Sequence, residues 1–307
     1  MPSPNAASPG GPSLRSGYLW AGLTVMIWSG FILMSRFGGK SPLTGWDITA
    51  LRFGTAALVL LPVWLRHRRD LHFNLQTLVL ALTGGAGFGM LVYSGFKFSS
   101  AAHAAILLPG MLPFAVSLMA WLILGERPGS QRWAGLTIIG GGLVCLGMDS
   151  FKDGLGHWQG DLLLLSGSFS WALYTALVRR WQVSPWDATL GVALVSAALY
   201  MPVYLLWLPK QISQVSWGFL AFQAAYHGII VVIVAMLFYM RAMVILGPTR
   251  VGTLMALVPA IAGLASAPLL GEALSPLILL GLGLVSGGAW FGSLTRIPFI
   301  RRSPCPT

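Results

Sequence analysis

Residues Pro113 to Gly135 read PFAVSLMAWLILGERPGSQRWAG, and Pro259 to Gly281 read PAIAGLASAPLLGEALSPLILLG. Both open on a proline, run through apolar residues to Leu-Gly-Glu, and reach a glycine that begins a second apolar run. Pro113 and Pro259, Gly125 and Gly271, Glu126 and Glu272, and Gly135 and Gly281 are each 146 residues apart. Two helices joined by a tight Gly-Glu turn therefore occur once per half, the mark of a duplicated chain. The duplication reaches further. Gly17 and Gly160, Trp28 and Trp171, and Arg36 and Arg179 stand 143 apart. Trp46-Asp47 and Trp186-Asp187, like Pro62 and Pro202, stand 140 apart, and Tyr93 and Tyr239 return to 146. The offset changes only where loops lie, so the correspondence holds span by span.

Composition says where such a chain resides. Charged residues make up 9% of the 307, against roughly 25% in soluble domains, and apolar residues make up 56%. The mean hydropathy is +0.76. Eight acidic groups cannot give a soluble protein of this size a polar surface. The net charge of +11 is scattered between apolar spans rather than clustered, which argues against nucleic-acid binding. Cys145, in an apolar run, and Cys305, near the end, offer neither a disulfide nor a metal set.

A bilayer core takes roughly 20 apolar residues as helix. Ten stretches qualify, at about 18–37, 47–65, 75–98, 101–124, 131–148, 160–178, 188–208, 217–240, 251–270 and 276–294. The run at 18–37 is longer than a secretory h-region and lacks a small-residue cleavage site, so it reads as the first span. Residues 1–17 read as a disordered cytoplasmic tail, 18–148 and 160–294 as two five-helix repeats, and 295–307 as a second cytoplasmic tail. With the amino terminus inside, thirteen of the nineteen Lys and Arg fall on inner loops and ends, five fall outside, and Arg52 lies within a span. Both termini are therefore expected in the cytoplasm. Five helices per half make the second half insert upside down. The expected fold is all-α and integral to the membrane, with ten transmembrane helices in two inverted five-helix repeats, the architecture of many secondary transporters.

These residues resemble a known family. The doubled Pro-to-Gly-Glu hairpin, Gly160-Asp161 opening span six, Trp171 and Arg179-Arg180 after it, and Arg52 in span two are similar to the drug/metabolite transporter superfamily, specifically its EamA-type ten-helix members. The resemblance covers nearly the whole chain and implies export of amino acids and related metabolites; relatives carry sugars or nucleotide sugars. One departure is visible: the first hairpin has Pro128 directly after Glu126-Arg127, whereas the second reads Glu272-Ala273 and meets Pro276 later.

The candidate residues follow from membrane depth. Glu126 and Glu272 suit a gate or proton site, but their place at the membrane surface favours hairpin caps. Pro113 and Pro259 fall near mid-span, where proline kinks a helix, frees a carbonyl and provides a hinge. His103 and His227 lie within apolar spans, where a polar group usually faces the interior; either suits proton relay or substrate binding. Trp28, Tyr93, Trp171, Tyr174, Tyr226 and Tyr239 sit inside spans and are candidates to line a substrate cavity, with the mates Trp28–Trp171 and Tyr93–Tyr239 facing each other across the pseudo-twofold. Arg52 is expected to snorkel outward and pair with Asp47 or a headgroup. Gly85 with Gly89, and Gly283 with Gly287, have the small-xxx-small spacing of close helix contacts.

No nucleotide loop, zinc signature or nucleophile elbow is present, so no enzyme, cofactor or metal site is expected. The expected function is a secondary transporter of the inner membrane exporting small metabolites, driven by the substrate's own gradient or by protons. Uptake of a sugar or another small solute is an alternative. A membrane-embedded enzyme or lipid-handling protein is the alternative of another class. One chain holds both halves, which suits a monomer or a homodimer.

Overall fold

A computed structural model describes residues 13–67, 74–152, 154 and 156–294. The expected tails lie outside them, apart from 13–17: Leu14 to Gly17 already belong to the first helix. Nine helices are apolar and long enough to cross a membrane among the described residues. One of them, Trp217–Met255, has 39 residues, about twice what a bilayer core needs. It breaks at Gly247, whose φ of 78° and ψ of 167° are open only to glycine. Dividing it there gives ten spans: α1 Leu14–Gly39, α2 Gly45–His67, α3 Leu75–Phe98, α4 Ala101–Leu124, α5 Ser130–Lys152, α6 Trp158–Arg180, α7 Pro185–Leu206, α8 (217–246), α9 (248–270) and α10 Pro276–Ser293.

Short polar residues start many of these helices. Ser13, Asn74, Ser100, Ser184, Ser216 and Ser275 each accept an N–H of the first turn with the side chain; such a cap contributes about 1 kcal/mol. The two repeated hairpins end their first helices alike. Gly125 (φ 72°) and Gly271 (φ 66°) take the left-handed conformation, and the backbone N–H groups of Glu126 and Glu272 bond back to Ala120 and Ser266. Wide π-type turns interrupt α3 at Ala81–Gly85 and α8 at Ala225–Val234, equivalent places in the two halves.

The two halves interlock. The first helix of each half packs on the third helix of the other, α1 on α8 and α6 on α3. The second helices α2 and α7 pair directly, as do α4 with α9 and α5 with α10. The α5–α10 contact displays the inversion. A Cβ on Gly135 would stand 2.7 Å from the carbonyl of Gly288, and one on Gly142 would stand 2.9 Å from that of Gly281. The higher number on one helix meets the lower on the other, so the helices are antiparallel. Gly283 and Gly287, expected to make such contacts, meet nothing within 4 Å. Around the outside, apolar side chains such as Leu58, Val144, Leu206 and Val244 are exposed, the surface a bilayer covers.

The starts of α1 and α5 and the ends of α8 and α10 share one face: Gly17 lies against Ile245 and Leu246, and Gln131 donates to the Phe291 carbonyl. This is the terminal face. The 40–44 loop, the start of α4 and the Glu272 hairpin make the opposite face.

Candidate functional site

A buried polar cluster joins the halves beneath the opposite face. On α3, Tyr93 is fully buried, and its Oη lies 3.0 Å from Nδ1 of His227 on α8. Arg52 of α2 donates from Nη1 to the same Oη at 3.1 Å. A guanidinium only donates, so Oη accepts from it; in the tautomer in which Oη passes its own hydrogen to Nδ1, Nε2 of His227 carries the N–H. Phe31 of α1 meets Tyr93 and His227 edge to face, and the guanidinium lies 5.6 Å from the Phe31 ring centre and 5.5 Å from that of Phe53. Arg52 Nε, His227 Nε2 and Gln223 Oε1 are buried without a hydrogen-bond partner among the described residues.

The placement of Arg52 corrects the expectation of a snorkelling side chain. The residue is 6% exposed and does not reach Asp47. Asp47 is filled by Thr44, by the Tyr204 hydroxyl at 2.6 Å and by the Gln211 N–H. A charged arginine at membrane depth costs at least about 2.5–3.5 kcal/mol. Contacts with two ring faces offset about 0.5–2 kcal/mol each. The site keeps a positive charge with no paired carboxylate among the described residues.

The other aromatics distribute differently from the expected face-to-face mates. Trp28 lies tilted against Tyr239 with ring centres 5.2 Å apart, and Trp171 against Phe88 at 5.0 Å and Tyr174 at 5.1 Å. Each tryptophan therefore meets the third helix of the other half, as the interlocked packing requires. Tyr226 adjoins the central cluster through His227 and donates to the Ile27 carbonyl at 3.0 Å. Tyr174 belongs to an apolar cluster with Phe53, Leu80 and Val192, and so adjoins the polar group through the Phe53 ring. Both Pro113 and Pro259 follow an irregular turn: α4 passes through a wide turn at Ile106–Gly110 and Met111, and α9 is interrupted at Ala256, whose own dihedrals stay helical.

His103 belongs to a second site. In the first turn of α4, its Nδ1 lies 3.1 and 3.0 Å from the two oxygens of Asp161, and Nε2 lies 3.4 Å from Asp149. Ser99 and Ser150 donate to Asp161, and Ser275, the cap of α10, donates to Asp149. This cluster ties α3, α4, α5, α6 and α10 at the opposite face, and His103 is not part of the central group. Next to it Glu272 accepts from Arg36 Nε at 2.7 Å and from the Ala101 N–H at 2.8 Å. Glu126, on the terminal face, accepts from Arg179 at 2.6 Å. The hairpins are thus capped by the backbone of Gly and Glu, while the two carboxylates bind arginines of the other half.

Comparison with known proteins decides the identity. The model of the EamA-like transporter family matches residues 15–148 and again 158–294. The chain belongs to that family. It is a multi-pass membrane transporter and not an enzyme. It is 28% identical to the threonine/homoserine exporter RhtA of Escherichia coli (strain K12) over 296 residues, which covers 92% of this chain and 95% of that protein. It is also 28% identical to the uncharacterized transporter YyaM of Bacillus subtilis (strain 168), over 59% of this chain and 64% of that protein. A solved crystal structure superposes with a TM-score of 0.63 at 21% identity, covering 92% of this chain and 98% of the other, a likeness of fold alone.

Within this transporter, sequence reasoning missed the central role of Arg52 and the acceptors Asp149 and Asp161. Arg52 carried a usable signal, as the Lys or Arg placed deepest inside an expected span. Gln223 carried one too, lying four residues before His227 and so on the same helix face.

Proposed function

We propose that this transporter exports small metabolites, foremost amino acids or their derivatives, across the inner membrane by alternating access of its two halves. The observation that carries the reading is the match to a threonine/homoserine exporter along 95% of that protein's length. The terminal face is the cytoplasmic one, in keeping with the excess of Lys and Arg there. Export runs on a gradient, of the substrate or of protons. The path lies between the halves, past Trp28, Tyr93, Trp171, Tyr226, His227 and Tyr239, with the irregular turns before Pro113 and Pro259 as hinges. One chain contains both halves and is the unit of transport, alone or within a homodimer.

The test is metabolite profiling of the medium of cells with and without overexpression. A specific amino acid or derivative accumulating outside is the expected result. No compound accumulating, with the protein confirmed in the membrane, refutes export.

A further inference from the structure

We infer that Arg52 is a binding subsite for a monocarboxylate on the transport path, held in place by Tyr93 and His227. This deepens the export reading and rests on it. The Arg52 guanidinium is a planar cation whose fork of N–H donors matches a carboxylate. It is anchored by one neutral hydroxyl and two phenyl faces, while Asp47, the carboxylate nearest in sequence, is occupied by Tyr204, Thr44 and Gln211. A pairing with a protein carboxylate would neutralise the site permanently. A ligand that brings the negative charge does so only while bound, which suits a path that must release its cargo.

Hydrogen-bond capacity points the same way. Arg52 Nε and His227 Nε2 are buried without acceptors among the described residues, and both are donors once Tyr93 has given its hydrogen to Nδ1. Two unsatisfied donors beside one positive charge fit a group with one negative charge and two acceptor oxygens. A neutral sugar supplies no charge, and a phosphate dianion brings more than one cation balances. The location fits as well. Arg52 and Tyr93 come from the first half and His227 from the second, so the subsite lies where the halves move against each other.

The experiment uses the full chain, purified in detergent and reconstituted in proteoliposomes. Thermal stabilisation is read against matched pairs of acid and amide: threonine with threoninamide, and lactate with lactamide. At least one acid should stabilise the wild type where its amide does not. In Arg52→Gln that preference should vanish, with the affinity for the acid lowered about 10- to 100-fold. If Arg52→Gln yields no folded protein, Tyr93→Phe decides, since loss of the anchoring hydroxyl should weaken acid binding severalfold. The inference is overturned if the wild type does not prefer any acid over its amide. It is equally overturned if Arg52→Gln, or in its place Tyr93→Phe, binds the acid as tightly as the wild type. Acid binding lost in Arg52→Gln without amino-acid efflux from wild-type proteoliposomes would refute the export reading alone. Equal efflux KM in wild type and Arg52→Gln would refute the subsite alone.

Discussion

Arg36 and Glu272, 236 residues apart, meet through Nε and Oε1 at 2.7 Å, and their repeat mates Arg179 and Glu126 meet at 2.6 Å on the other face. Each pair joins the first helix of one half to the hairpin of the other, so one contact is built twice by the pseudo-symmetry. Its surroundings differ. The Arg36 and Glu272 side chains are 13% and 8% exposed, those of Arg179 and Glu126 49% and 51%. Removing one partner of a buried pair strands the other charge, at a cost of about 3 kcal/mol, whereas an exposed pair contributes under about 1 kcal/mol. Glu272→Gln should therefore lower the thermal midpoint of the detergent-solubilised protein far more than Glu126→Gln. Equal midpoints would show that the two pairs carry equal weight.

The His103 cluster predicts another ranking. Asp161 accepts from His103, Ser99 and Ser150, while Asp149 accepts from Ser275 and has a 3.4 Å contact to His103. A hydrogen bond to a charged group contributes about 1.5–3 kcal/mol, so Asp161→Asn should cost more stability than Asp149→Asn. Differential scanning fluorimetry on the two variants reads the order, and a larger loss in Asp149→Asn would contradict it.

Glycine contacts give a prediction with an internal control. A Cβ on Gly288 would stand 2.7 Å from the backbone oxygen of Gly135, whereas Gly283 and Gly287 face open space. Gly288→Ala should destabilise by about 1–3 kcal/mol through overpacking. Gly287→Ala should be neutral or stabilising by about 0.5–1 kcal/mol, through helix propensity alone. Unfolding midpoints of the two single variants check both signs.

The span positions and the inversion were legible because a duplicated chain shows its design twice: Gly-Glu turns at equal offset, five apolar runs per half, and Arg36 and Arg179 at equivalent places. Residue-level contacts were less so. α10 carries Gly281, Gly283, Gly287, Gly288 and Gly292, several of them at small-xxx-small spacing, and only packing against α5 selects 281 and 288. Arg52 was misplaced for a related reason. Its local neighbour Asp47 is claimed by Tyr204, 157 residues away, and no spacing within α2 encodes that. The aromatic mates were paired with each other by symmetry alone, whereas interlocked helices set each tryptophan against the third helix of the other half.

Gly247 carries the last prediction. It separates α8 from α9, and its φ of 78° with ψ of 167° is a conformation closed to residues with a Cβ. Pro248 follows, and proline disfavours a helical conformation in the residue before it. The Gly-Pro pair therefore turns one 39-residue apolar helix into two spans, which sets the orientation of α9, α10 and the Glu272 hairpin. No atom lies within 4 Å of a Cβ built on Gly247, so any cost of Gly247→Ala comes from the backbone and not from crowding. That strain is about 1–3 kcal/mol. Gly247→Ala should lower the thermal midpoint and also weaken the Arg36–Glu272 contact, because a reset of the break moves the hairpin that holds Glu272. A double-mutant cycle of Gly247→Ala with Glu272→Gln measures this: the combined loss should be smaller than the sum of the two. Strict additivity would show that the break and the ion pair are independent.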